Sequence, residues 1–294
     1  MPSLKDLKNR IASVKSTRKI TSAMKMVAAS KLRRAQDQAE SSRPYAKFIL
    51  RMTQDLARTI EISPESSPLL VGREKQQTVL LVVLTSDRGL CGAFNGSIIR
   101  EARRRIVALE KEGKTVRLIC VGRRAYNLLH REHEAKILHK VESAAKKQID
   151  LADAQELSDR LIALFEEGAF DVAHIIFNRF KSAISQIVSV EQLIPFGVPE
   201  ANDNDAEGRL ACEIFEPEQN TLMAALLRRN LTAQLFADLM ESSAGEQGAR
   251  MTAMDNATRN AGDMIDRLTL NYNRSRQAYI TKELIEIISG AEAV

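Results

Sequence analysis

The residues best placed for chemistry lie in TSDRGLCGAFNG, residues 85–96. Ser86, Asp87, Arg88, Gly89, Gly92 and Gly96 follow an apolar run of strand length and precede a helical pattern. Backbone amides at a helix N-terminus in that setting can cradle a phosphate. The spacing is neither G-x-G-x-x-G nor G-x-x-x-x-G-K-[ST], and no lysine follows, so the stretch reads first as a tight turn that lets a helix close on a sheet. Cys91 has no histidine near it in sequence and no nucleophile-elbow pattern, which argues against a catalytic thiol. His130, His133 and His139 suggest zinc, but no cysteine or well-placed carboxylate completes a set, and a basic exposed helix is the simpler reading. His174, alone in an apolar strand, reads as a core residue. Asp203, Asp205, Glu207 and Gly208 imitate the opening of a calcium loop, yet Ile214 stands where the bidentate glutamate belongs, which leaves a solvated loop. The expectation is a chain with no catalytic residues, no metal and no cofactor of its own.

What could position such residues is bounded by composition. The 294 residues are 44% hydrophobic, 28% charged and 4% aromatic, with no Trp. That apolar fraction excludes wholesale disorder. The scarcity of aromatics beside much Ala, Leu, Arg, Gln and Glu points to long helices. No apolar run reaches the roughly 18 residues of a membrane span, and MPSLKDLKNR lacks the apolar core of a signal peptide. The expected place is the cytosol, or a membrane reached only through other proteins. Cys91, Cys120 and Cys212 are scattered, with no C-x-x-C, which fits a reducing compartment.

The net charge of +5 hides an asymmetry. Residues 1–60 hold 14 Lys+Arg against 4 Asp+Glu, a net of +10, while residues 61–206 come to −1 and 207–294 to −4. A basic arm of this kind suits nucleic acid, an anionic membrane or an acidic protein surface. Only Tyr45 and Phe48 are available for stacking on bases, which favours a protein partner and leaves nucleic acid as the second possibility.

From Ser3 to Ile60 the only Pro is Pro44 and there is no Gly. Ser3 with Asp6 makes a capping-box-like start. Leu4, Leu7, Ile11 and Val14 recur in steps of three and four; after a break at Arg18, Thr21 and Lys25 the register returns with Ala28, Leu32, Ala35, Ala39, Ser42, Ala46, Ile49, Leu56 and Ile60. This predicts a coiled-coil helix about 85 Å long, kinked or restarted at Pro44. A turn or linker follows at SPESSPLLVG, residues 63–72. Strands are predicted at Gln77–Leu84, Thr115–Val121, Phe170–Phe177 and Ala183–Leu193, alternating with helices near 97–112, 123–133 and 150–167. Residues 197–208 form an exposed acidic loop. After Pro217 an apolar stripe runs through Leu222, Leu226, Ala233, Phe236, Met240, Met251, Met254, Ala261, Ile265, Leu268 and Tyr272, and extends to Leu284, Ile287 and Ile288. The fold class is therefore α/β: a long antiparallel two-helix coiled coil of the N- and C-terminal helices, plus a small Rossmann-like open α/β domain. The boundaries are 1–62 for the first helix, 75–200 for the globular foot and 209–294 for the last helix.

The opening segment MPSLKDLKNRIASVKSTRKITSAMKMVAASKLRRAQ resembles the N-terminal helix of the ATP synthase γ-subunit family. SDRGLCGAFN resembles that family's central-domain turn, and AMDNATRNAGDMIDRLTLNYNRSRQAYITKELIEIISGAEAV resembles its C-terminal helix nearly throughout. Residues 123–200 carry no transferable motif. The resemblance implies a central rotor shaft that couples proton-driven rotation of a c-ring to conformational change at β-subunit sites, without chemistry of its own. It implies α and β subunits, an ε-type subunit and the c-ring as partners, one copy per complex, no nucleic acid, and a membrane met only through the complex. Met24 and Lys25 then face the β-subunit lever region. Arg276 and Gln277 meet a β-subunit catch loop, and ISGAEAV suits an apolar bearing. The inserted cysteine pair of chloroplast members has no counterpart here. A bacterial chain at the cytoplasmic face of the inner membrane is the simplest reading, with a mitochondrial matrix-face protein as the alternative. The competing class is a free-standing α/β nucleotide-binding protein or a basic coiled-coil adaptor.

Overall fold

The computed structural model describes residues 3–59, 67–73, 75–142, 149–196 and 219–292. The predicted acidic loop at 197–208, the calcium-like residues within it and Cys212 lie outside them, as do residues 63–66 of the predicted linker, whose remainder carries a helical turn at Pro68–Val71. The first helix, α1 (Leu4–Thr59), starts on a reciprocal cap: Ser3 N donates to Asp6 Oδ2 at 3.3 Å, and Asp6 N donates to Ser3 Oγ at 3.2 Å. It continues through Pro44, which is exposed, so the predicted break does not interrupt the helix. The last helix, α6 (Gln219–Glu292), spans 74 residues through Gly245, Gly248 and Gly262.

The chain divides into two compact units, and both helices contribute to each. One contains residues 1–30 with 250–294, the other residues 31–249. In the first unit Leu7, Ala28, Met254, Ala261 and Ile265 are buried. Thr21, which the apolar pattern marks as a break, is buried too: its hydroxyl bonds to a hydroxyl of α6 and so continues the seam. Leu284, Ile287 and Ile288 do not continue it; they are 53%, 67% and 58% exposed.

The second unit is built on a five-stranded sheet of order β3-β2-β1-β4-β5. Its strands are β1 (Thr78–Leu84), β2 (Thr115–Val121), β3 (Ile137–Val141), β4 (Val172–Phe180) and β5 (Gln186–Ile194). The first four are parallel, and β5 pairs antiparallel with β4. Strand β3 escapes the sequence pattern because it is a five-residue edge strand with no fully buried residue. A short helix, α2 (Pro68–Val71), precedes β1, and three helices join the parallel strands: α3 (Phe94–Lys111), α4 (Arg123–His133) and α5 (Leu151–Glu166). Side chains alternate across β1. Val79, Leu81 and Val83 meet α3 and α4 on one face, while Leu80, Val82 and Leu84 meet α5 on the other.

That second face also holds Leu56 and Ala57 of α1 and Met223, Leu227, Leu231, Leu235 and Leu239 of α6. The long helices are therefore part of the sheet's own core over these turns. The α6 residues belong to a stripe one position away from several of those the sequence pattern picks. Leu222, Leu226 and Phe236 pack at its margin.

Within this packed stretch sits Asp238, only 5% exposed, with Oδ2 lacking a hydrogen-bond partner among the described residues. Burial pushes its carboxyl well above the usual carboxylate range; Glu191 and Glu241 push the same way and Arg179 opposes them. The folded chain thus retains a proton that the unfolded chain has released, so stability falls as pH rises from the ordinary carboxylate range through the raised folded value. Asp238→Asn is expected to flatten this slope and to melt above the parent at about pH 8, as thermal unfolding across a pH series will show. Gly122 supplies a second check. It joins β2 to α4 at φ +93°, and a Cβ there would lie 2.3 Å from Thr85 O. Gly122→Ala is expected to cost about 3 kcal/mol, read as a lower urea midpoint.

Candidate functional site

Strand β1 is the point where the sheet's connections turn from one side to the other. In open α/β sheets ligands enter the crevice outside the strand C-termini at such a point. Here the crevice is filled by the protein itself. Asn178 Nδ2, near the end of β4, donates to Phe94 O at 3.0 Å and to Ser97 Oγ at 3.3 Å. Helix α6 comes against the same atoms: a Cβ on Gly245 would lie 3.2 Å from the Phe94 ring and 3.4 Å from Asn178 O.

Hydrogen bonds also tie the turn to the elements around it. Ser86 N donates to Asn95 Oδ1 at 3.0 Å, Arg123 N to Asp87 Oδ1 at 2.8 Å, and Ala125 N to Thr85 Oγ1 at 2.8 Å. Ser86 Oγ donates to Arg88 O at 2.6 Å. Asp87 therefore caps α4, and Asn95 reaches back to the end of β1. Arg124 closes over Gly89, where a Cβ would fall 2.7 Å from the guanidinium. The predicted tight turn is a lock between β1, α3 and α4.

The other singled-out residues disperse. His130 stacks on Tyr126 with ring centroids 5.2 Å apart, and His133 lies beside Lys136; burial, then the charge of Lys136, holds its imidazole below the usual range. His139 is on β3, away from the predicted helix. Among the described residues no group of three or more His, Cys, Asp or Glu could hold a metal. His174 is half-buried in β4, and burial lowers its imidazole. Cys91 and Cys120 are buried free thiols, and burial pushes Cys120 up to about 12. Among the described residues no helix is long and apolar enough to cross a membrane.

The helical unit presents a different kind of surface. Thr258 Oγ1 donates to Thr21 Oγ1 at 2.8 Å, and Lys25 Nζ donates to Asp255 Oδ1 at 2.6 Å. The Asp255 carboxylate also pairs with Arg259, one turn on. The bonds from Lys25 and then Arg259 hold that carboxylate below its usual range. Beside these contacts an open cleft of about 540 Å³ is lined by Arg18, Lys19, Met26, Thr258, Arg259 and Gly262. Three cations over an apolar floor make a surface for acidic, partly apolar peptide. Met26 and Val27 are 65% and 57% exposed.

Of the residues singled out for partner contact, Met24 is half-buried and Lys25 is exposed but ion-paired to Asp255. Arg276 and Gln277 are exposed on α6, several turns from that cleft in sequence. Asp255, Arg259 and Thr258 were invisible as site residues in the sequence, because their significance depends on the register of α1 against α6. A lone acid within the apolar run LFADLM was the one available signal for Asp238.

A family model described as ATP synthase matches residues 3–294. The ATP synthase gamma chain of Rhodospirillum rubrum is 54% identical over 299 residues, and that of Gluconacetobacter diazotrophicus 55% over 294; each alignment covers 100% of both chains. A chain in the cryo-EM structure of the Tetrahymena thermophila mitochondrial ATP synthase central stalk and c-ring superposes with TM-score 0.61 at 27% identity, covering 81% of this chain and 99% of that one. A chain of the Euglena gracilis mitochondrial ATP synthase, in rotational state 3, gives TM-score 0.68 over 99% of this chain and 94% of that one; at 18% identity this speaks for the fold alone. With its described crevice filled and its full length aligned to bacterial gamma chains, the protein belongs to the ATP synthase gamma-chain family.

Proposed function

We propose that this chain is the central shaft of a rotary ATP synthase, carrying rotation between a proton-driven c-ring and the β-subunit sites where ATP is made or hydrolysed. The observation that carries this reading is the full-length match to bacterial gamma chains at more than half identity. Its partners are the α and β subunits, an ε-type subunit and the c-ring. The chain acts without catalytic residues of its own, at the cytoplasmic face of the bacterial inner membrane. The filled crevice at β1 supports this over a free-standing nucleotide-binding protein.

The shaft is an antiparallel two-helix coiled coil. In support, contact partners on α6 step backwards as α1 steps forwards: Thr21 with Thr258 and Lys25 with Asp255 in one unit, Arg43 with Glu241 in the other. We read residues 1–62 and 209–294 as the two segments of the shaft, which carry α1 and α6, and 75–200 as the globular foot.

Met24 and Lys25 sit next to the basic cleft and face the β-subunit lever region, where a moving acidic segment finds Arg18, Lys19 and Arg259. Lys25 meets that segment only by exchanging Asp255 for it, so its attraction is a difference between two ion pairs. Arg276 and Gln277 form the polar catch. Because one asymmetric shaft faces three β subunits, each contact favours one site's conformation at a given angle.

Two outcomes test this. The purified chain alone is expected to show neither ATP turnover nor nucleotide-dependent stabilisation in a thermal-shift titration; turnover or tight binding would support the enzyme class instead. Arg276→Ala combined with Gln277→Ala is expected to lower the ATPase of the assembled complex, or the torque it transmits in a single-molecule rotation assay, with subunit content unchanged. Parental activity and torque would remove both residues from the site.

A further inference from the structure

Glu241 of α6 joins three elements with one carboxylate. Its Oε1 accepts from Arg43 Nε at 2.8 Å and Nη2 at 2.6 Å, both on α1. Its Oε2 accepts from the backbone N of Phe180, the last residue of β4, at 3.0 Å. The Glu241 side chain is 12% exposed and that of Arg43 is 45% exposed. Charge-assisted bonds of this kind are short and directional.

The surroundings explain why direction matters here. After Glu241, α6 meets the β4–β5 hairpin through small residues. Ser242 and Ala244 are buried, and a Cβ on Gly248 would lie 3.1 Å from Ala183 O. Further back, Leu227, Leu231, Leu235 and Leu239 are pressed into the apolar core. Apolar contact is non-directional, and a smooth surface of small side chains resists rotation about the helix axis weakly. A carboxylate bonded on one side to a strand end and on the other to a neighbouring helix resists it strongly.

We propose that Glu241 is a positioning residue for torque: it fastens the β4–β5 hairpin to α1 and α6 at once, so that turning force passes between the α/β domain and the helices without slip. This rests on the shaft reading and adds to it the residue through which the force passes.

The test uses the assembled complex in membrane vesicles, with Glu241→Ala, Glu241→Gln and Arg43→Gln. Subunit content, ATP hydrolysis, ATP-driven proton uptake and amide exchange over the hairpin are measured together. For Glu241→Ala, the complex assembles and hydrolyses ATP, proton uptake per ATP falls, and exchange at the Phe180 amide quickens about ten- to a hundredfold, as loss of a hydrogen bond to a charged group dictates. Glu241→Gln keeps an acceptor for Phe180 N and loses the ion pair, so it falls between Ala and the parent. Arg43→Gln, at a partly exposed site, gives the same partial loss and decides the matter if Glu241→Ala does not assemble. A merely structural role would lower complex yield and leave protons per ATP unchanged; that unchanged ratio in Arg43→Gln and Glu241→Ala overturns the proposal. Failure of the shaft reading gives a different result: proton uptake that persists when this chain is omitted.

Discussion

The burial of α6 against the sheet is the constraint on which the α/β unit depends. Five residues from Met223 to Leu239 lie in one core with Leu80, Val82 and Leu84 of the central strand and with Leu161, Phe165 and Phe170. Each fully buried aliphatic side chain contributes about 1.5–3 kcal/mol. Without α6 one face of the sheet would expose a broad apolar surface that α5 alone cannot cover. The helix is thus a structural layer of the α/β unit as well as part of the helical unit, and the two roles cannot be separated by cutting the chain between domains.

The same packing disposes of the crevice where an open α/β sheet would ordinarily receive a ligand. Gly245 allows α6 to approach Phe94 and Asn178, and Asn178 in turn ties β4 to the start of α3. The β1–α3 turn is bonded to α3 and α4 through Asn95 and Asp87. Polar groups that could have recognised a ligand instead fix one element to another.

In the helical unit the seam relies on a different device. Ala28 and Ala261 let the backbones approach, while Thr21 and Thr258 place a hydroxyl pair where an apolar pattern would place leucines. Each hydroxyl also bonds a carbonyl of its own helix, Thr21 to Arg18 O and Thr258 to Met254 O, so the pair adds one bond across the seam without leaving a polar group dependent on it. The Lys25–Asp255–Arg259 cluster at its margin adds charge that is easily exchanged for another anion, because it is solvent-exposed and individually weak.

The amino-acid sequence by itself determined that two very long helices flank an alternating strand–helix segment, because periods of 3.6 and 2 are local properties of side-chain order. It also determined the Ser3–Asp6 cap and the weakness of the phosphate-loop and zinc patterns, since these rest on residue types at short spacing. Only the tertiary structure decided that Thr21 belongs to the seam, that β3 exists at the sheet edge, and that Leu227, Leu231 and Leu235 rather than a simple coiled-coil stripe face the core. It alone brought Glu241 to Arg43 and Phe180, and left Ile287 and Ile288 uncovered. Each of these depends on which residues distant in the chain become neighbours. That is set by helix register and by the close approach allowed at Gly245 and Gly248, and no local periodicity encodes it.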